Sequence, residues 1–400
     1  MQLPRIKIQF LNGQLGTVGE SADGLMALIC GAAAVAGTFV LNTAYAITSM
    51  DDLQELGVTS TNNAALYKQV SEFYDETEVG TKLVLYPVNP STAVTTLCDY
   101  TKTDAGYARD LISKQNGNLR GIAIANLNTT SSTTSTNGID SDVFTALPKA
   151  QQLAEWATTE LYAPLFFLLE GRNYDPAKEL KDLTKEKYNR VGIVMGDTVA
   201  SSKGASMGTI LGRLASVPVQ RNIGRVKDGS LAPLEMYVGA KKVDESESTI
   251  RGIYEKGYIV PRKYVGRSGY FYADDNLACD ETDDYMHIAN RRVIDKAYRL
   301  AYNIMLDILL DELEINDDGT LQVGIVKSWQ QTVESGINKQ MTANGELCAN
   351  SDGDGCKCYM DEKQNVLSTS KVLMTLKVRP YGYARYVDVK LGFLVETNNG

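Results

Sequence analysis

Leu119-Arg120-Gly121-Ile122-Ala123-Ile124-Ala125, a helical pattern over residues 147–160, and then Pro164-Leu165-Phe166-Phe167-Leu168-Leu169 decide the fold class between them. Two short apolar runs separated by a helix-length segment read as buried strands with a covering helix. The alternation extends both ways. Apolar runs at 25–30, 82–87 and 191–195 add three strands, and helical patterns occupy 62–74, 105–116, 176–188 and 202–216. The reading is an α/β unit with a mainly parallel sheet covered by helices. The Thr/Ser run at 126–138 cannot bury a core and reads as an exposed loop after its strand, one that could also bind a ligand.

Four hundred residues exceed what one core usually organises, which favours two or three domains. With 22% charged and 44% hydrophobic residues the chain reads as globular, and its net charge of −9 gives no electrostatic footprint for a nucleic-acid partner. The single histidine, His287, means that any triad, His-rich zinc site or His-pair acid/base mechanism must use that residue or be abandoned. Against 8 Phe and 2 Trp stand 22 Tyr, an excess of the aromatic suited to half-wet contact surfaces. Contact is favoured over catalysis.

Residues 24–50 carry no charge, but acidic Glu20 and Asp23 precede the apolar run where a signal peptide would be basic, and Gly31, Gly37, Thr38, Asn42 and Thr43 interrupt any membrane span. Two buried strands joined by a turn are expected there, with no membrane insertion. Six cysteines are too few for a disulfide scaffold and fit a reducing cytoplasm. Cys348, Cys356 and Cys358 cluster around a Gly/Asp-rich loop that could begin a zinc site, partly mimics a calcium loop, could form an adventitious disulfide, or is an exposed hairpin loop without chemistry. Of these the last is favoured, and no metal or cofactor is expected.

The charged, Ser-rich stretch 241–249 reads as a boundary. Beyond it come strands at 258–261 and 269–272, a long helix at 284–313, a second helix at 328–342 and two closing strands. The long helix carries Arg291, Arg292, Lys296 and Arg299 against Asp295 in its first half, and Asp307, Asp311 and Glu312 in its second, which opposes the helix dipole. Its cations are either neutralised within their own domain or face a complementary partner. Both chain ends alternate as half-buried strands do: Ile6, Ile8 and Phe10 at one end; Val372, Met374, Leu376 and Val378, then Val387, Val389, Leu391, Phe393 and Val395 at the other. Such strands either complete their own sheet or pair with the sheet edge of another molecule.

Common enzyme motifs are missing: there is no G-x-x-x-x-G-K-[ST], no G-x-G-x-x-G after a strand and no H-E-x-x-H. The turn at 196–204 could cradle an anion, although glycine-rich turns are structural more often.

Gly257-Tyr258-Ile259-Val260-Pro261, Gly266-Arg267-Ser268-Gly269-Tyr270-Phe271, the segment Asp284 to Asp295, Val378-Arg379-Pro380 and the alternating strand at 386–395 resemble the core of contractile tail sheath proteins. Residues 205–220 resemble the place where the outer domain of that family returns to the core. The resemblance implies an inner mixed α+β domain built from both chain ends (1–22 as an arm, 246–400 as the core) and an inserted outer α/β domain at 23–245. It implies a homo-oligomer of stacked hexameric rings around an inner tail tube protein, in contact with baseplate and tail-terminator proteins. It also implies contraction without a cofactor or enzyme activity, and a place in the virion tail after assembly in the host cytoplasm. Ile6, Ile8, Phe10, Val387, Val389, Leu391, Phe393 and Val395 become inter-subunit arm residues, and Arg291, Arg292, Lys296 and Arg299 candidates to face the tube. A non-contractile tail or surface-layer subunit, and an enzyme or nucleotide-binding protein using the 196–204 turn, stand as alternatives.

Overall fold

The structure, a computed structural model, describes residues 22–128, 137–310 and 312–392. Six strands form its main sheet: β1 (Met26–Gly31), β2 (Tyr45–Ile47), β3 (Leu83–Val88), β4 (Gly121–Ala125), β5 (Phe166–Glu170) and β6 (Val191–Val194), in the order β2-β3-β1-β4-β5-β6. All neighbours are parallel except β2, which pairs antiparallel with β3 at the edge. Every residue of β1, β3, β4, β5 and β6 is buried. Strands covered on both faces read as continuous apolar runs, which is why the sequence displays them so plainly.

Helices Ala64–Glu76 and Met207–Ser216 pack closely on one another and on β1, and helix Ser141–Glu160 packs on β5. The first two approach through glycine. A methyl group on Gly208 would overlap the Gln69 carbonyl oxygen, and one on Gly212 would lie 2.6 Å from the Phe73 carbonyl oxygen. Because the obstacle is backbone, Gly208→Leu is expected to destabilise the fold by about 3 kcal/mol, the upper end of ordinary overpacking. A urea midpoint equal to that of the unaltered chain would refute this packing.

Three expectations need correction. Residues 176–188 form only a single 3-10 turn, Leu183–Lys185: the Asp182 side chain accepts the Thr184 amide at 3.1 Å, Leu183 donates to Lys256 O at 2.9 Å, and Lys187–Tyr188 becomes a short strand against Ala278–Cys279. Local side-chain capping has outcompeted a helix. The 24–50 stretch does yield two strands, but only β1 is buried throughout; β2, with Ala46 exposed, pairs with β3 at the sheet edge. The long helix spans Ile288–Leu306, shorter than the expected 284–313, and its first turn is closed by Asp275, which accepts the Ile288 amide on its carbonyl and the Ala289 amide on its carboxylate.

The packing of the sheet body continues past residue 245. Ile259 exchanges backbone hydrogen bonds with Ile193 and Met195 (3.0 and 2.8 Å), extending the sheet beyond β6, and Ile250, Tyr258, Tyr272 and Cys279 lie in the same core as β1. A separate cluster gathers Val219, Val293, Ala297, Val333, Ile337, Met341, Cys356 and Cys358. It is built from the long helix, helix Val323–Ile337 and an antiparallel pair, β7 (Cys356–Met360) and β8 (Met374–Val378). Packing therefore changes hands near residue 288.

Candidate assembly interface

β7 and β8 make a sheet of only two strands, so each has one edge without a ladder partner among the described residues. Met374, Leu376 and Val378 face the second cluster while Thr375 and Lys377 are exposed, as the alternation predicts. After β8 the chain returns to the sheet body. Tyr383 donates its hydroxyl to Gln220 O, and Arg385 Nε lies 2.8 Å from Asp274 Oδ2. Beyond this latch Tyr386, Val387, Val389 and Leu391 are 81, 74, 77 and 96% exposed, and residues 386–392 belong to no strand. Phe393 and Val395, like Ile6, Ile8 and Phe10, lie outside the described residues.

The latch is wired to the only histidine. Asn222 Nδ2 donates to both Asp274 and Asp275, and His287 Nδ1 sits 3.1 Å from Asp275 Oδ1 and 3.6 Å from Asp274 Oδ1. The sequence could assign His287 no carboxylate; the fold supplies two. Asp274, Asp275 and His287 are near enough to share a metal ion, with candidate ligand atoms within 4.8 Å of one another, but their oxygens already accept from Asn222, Arg385 and the Ala289 amide. Burial pushes the Asp274 carboxyl up, yet His287, Arg385 and Asn222 together outweigh it and hold it below its ordinary 3.8. Burial pushes fully enclosed Asp275 up from 3.8, against the pull of His287.

A carboxylate with a lowered folded value stabilises the fold above its unfolded value and loses that contribution as the pH falls through the folded one. Asp274 should therefore hold the tail from neutral pH down to about 3.8, and release it only below. Asp275 works in the opposite sense: its contribution is present below 3.8 and fades as the pH rises through its raised value. Hydrogen exchange over residues 381–386 would read the release. At neutral pH, Asp274→Asn should speed trypsin cleavage after Arg385 by about ten- to a hundredfold, since a charge-assisted hydrogen bond is worth about 1.5–3 kcal/mol. Unchanged cleavage would remove the latch.

The four cations expected to face a tube are engaged within the subunit. Arg291 is 7% exposed, 3.1 Å from Asp295 and stacked over the Tyr285 ring; Arg292 is 3% exposed and donates to Val217 O at 3.1 Å. Lys296 bridges Asp23 (2.6 Å) and Glu346 (2.8 Å), and Arg299 donates to Pro164 O at 3.0 Å. They close the seam between the long helix and the sheet body. Burial lowers both Arg292 and Arg299 to about 10, which leaves them charged at neutral pH.

The 196–204 turn has its donors taken as well. The amides of Asp197, Ser201 and Ser206 donate to Tyr237 O, Gly239 O and Gly196 O, and that of Ala205 to the Glu170 carboxylate at 3.1 Å. An internal carboxylate stands where an anion would sit. Cys356 and Cys358 are buried on β7, where burial raises both thiols, and all six cysteines are free.

Residues 3–276 match the DUF2586 N-terminal domain and residues 284–398 the DUF2586 C-terminal domain. The chain belongs to the DUF2586 family. The junction of the two matched domains agrees with the change of packing near residue 288. This DUF2586 chain is 29% identical over 196 residues to a provisionally named tail sheath protein of Haemophilus phage HP1, an alignment covering 47% of the chain and 50% of that relative. The chain thus spans about half the length of the curated relative it matches.

Its fold is that of contractile sheath proteins. The helical sheath of the anti-feeding prophage in its contracted state superposes with a TM-score of 0.63 at 14% identity, over 98% of this chain and 99% of that one. The contracted sheath complex of an extracellular contractile injection system, PVC, gives 0.59 at 13%, over 98% of each. A sheath tail protein of Desulfitobacterium hafniense gives 0.50 at 12%, over 90% and 94%. The resemblance read from residues 257–295 and 372–395 therefore holds for this DUF2586 chain. Sequence reading missed the latch. Its signals were the adjacent carboxylates Asp274-Asp275 and the run Tyr381-Gly382-Tyr383-Ala384-Arg385-Tyr386.

Proposed function

We propose that this protein is the subunit of a contractile tail sheath, polymerising as stacked hexameric rings around an inner tube and contracting to drive that tube through a target envelope. The observation that carries the reading is the tail: an alternating apolar segment, held at Arg385 and exposed from Tyr386 to Leu391, in a fold that also leaves the outer edge of β8 without a ladder partner among the described residues, the edge of β7 being capped by Gln330, Glu334 and Asn338. An exposed alternating strand and an unpaired edge are the two halves of strand addition between copies. Val387, Val389, Leu391, Phe393 and Val395 would enter a neighbouring subunit's sheet, and Ile6, Ile8 and Phe10 would do the same from the other end.

In this reading the partners are further copies, the tube, the baseplate and a tail terminator, the place of action is the virion tail, and assembly occurs in the host cytoplasm. The work is mechanical and needs no cofactor or reaction. Negative-stain microscopy of the purified protein, alone and with tube, tests it. Hollow cylinders are expected; a flat lattice would favour a layer protein, and dispersed monomers stabilised by a nucleotide would overturn the assembly reading.

A further inference from the structure

The cleft beneath the tail latch, about 1000 Å³ in volume, carries more arginine than its own carboxylates neutralise. Arg221, Arg225, Arg251, Arg262 and Arg385 line it against Glu247, Glu255 and Asp274. The arginines are already sharing: Arg221 and Arg225 both turn to Asp228 (3.0 and 2.6 Å), and Arg251 and Arg262 both to Glu247 (4.0 and 3.4 Å). Arg262 keeps a buried Nε with no hydrogen-bond partner. The rings of Tyr254, Tyr264, Tyr383 and Tyr386 complete the lining. Arginine and tyrosine together are the composition of contact hot spots, and this local excess of positive charge sits in a chain whose net charge is −9.

The complementary surface is in the same chain. Residues 307–318 hold six carboxylates and no cation. Asp307, Glu312, Glu314, Asp317 and Asp318 are exposed, and at the turn Leu309 and Leu310 are 69 and 96% exposed, with Leu310 in the left-handed region at φ 64°. Leucines projecting among carboxylates match a cleft of tyrosine rings among guanidiniums.

We propose that the arginine-tyrosine cleft receives the acidic surface formed by residues 307–310 and 312–318 of a second copy of this chain. The contact joins two different surfaces, so it runs head to tail and propagates into a ring or helix instead of closing a dimer. It rests on the assembly reading above and adds to it a charge-selective surface contact that fixes the register of neighbours, separate from any exchange of strands.

The test is a charge swap in the full chain, read as the protein concentration giving half-maximal assembly. Arg225→Glu with Arg251→Glu reverses the cleft; Glu314→Lys with Asp317→Lys reverses the turn. Each variant alone should need about tenfold more protein or fail to assemble, while retaining the unaltered circular dichroism and urea midpoint. A 1:1 mixture should assemble nearly as the unaltered chain does, because every cleft then meets a turn of opposite charge. The four-fold variant should also recover. Variants that assemble normally, or folded variants that mixing does not rescue, overturn the pairing while leaving the sheath reading intact if the unaltered chain forms cylinders. An unaltered chain that stays monomeric under all conditions overturns the sheath reading first and this contact with it.

Discussion

A chain ending at Arg385 should fold as the full-length protein does and form no cylinders. The two halves of this expectation have separate causes. Residues 386–392 make no ladder and their large apolar side chains are exposed, so their loss removes almost nothing from the subunit, and the unfolding free energy read from urea titration should move by less than about 0.5 kcal/mol. Between subunits the same residues could form about five main-chain hydrogen bonds at ~0.5–1.5 kcal/mol each, on the order of 5 kcal/mol. One such arm binds only near the millimolar range. A lattice of arms engaged at once is far stronger, because each attachment makes the next one intramolecular. Removing the arm from every subunit therefore removes all of that avidity together. Replacing Val387, Val389 and Leu391 by Ser at constant length should reproduce the loss. Cylinders from either variant at the unaltered protein concentration would refute the arm.

The largest effect on subunit stability is expected at Asp295. Its carboxylate, 3% exposed, takes Arg190 NH1 on both oxygens at 3.2 and 3.1 Å and Arg291 NH2 at 3.1 Å. Arg190 comes from the turn leading into β6 and is 7% exposed. Asp295→Ala leaves two guanidiniums buried in the seam without their shared counter-charge, and breaking a buried pair in this way costs about 3–5 kcal/mol. Asp295→Ala paired with Arg190→Met should recover only part of the loss, since one of the two stranded guanidiniums is removed while Arg291 stays without its counter-charge. A urea midpoint for Asp295→Ala within error of the unaltered chain would show that water reaches the seam.

What the sequence made legible follows from which interactions are local. The five buried parallel strands were visible because each face of each strand must be apolar, and residues 372–378 because one face of β8 is wet. The seam cations were not legible as such. A row of arginines on a helix reports charge but not direction, and the groups that receive them, Asp23, Pro164 O, Val217 O and Glu346, lie 50 to 273 positions away. The reach of the sheet body past residue 245 was hidden for a related reason: residues 258–260 rejoin the sheet through backbone hydrogen bonds, which leave little mark on side-chain composition. The latch was hidden because Asp274 and Arg385 are 111 positions apart.

The position of that latch along the chain has a mechanical consequence. Any pull on the segment beyond residue 386 reaches Arg385 and Tyr383 before it reaches β8, and both are fastened to the sheet body through Asp274 and Gln220. The load is delivered to the largest core in the subunit, while the small β7–β8 hairpin, whose ladder would unzip one rung at a time if pulled from its end, is spared. The latch thus serves as a strain relief: a tether anchored to the body of the subunit and not to the small hairpin.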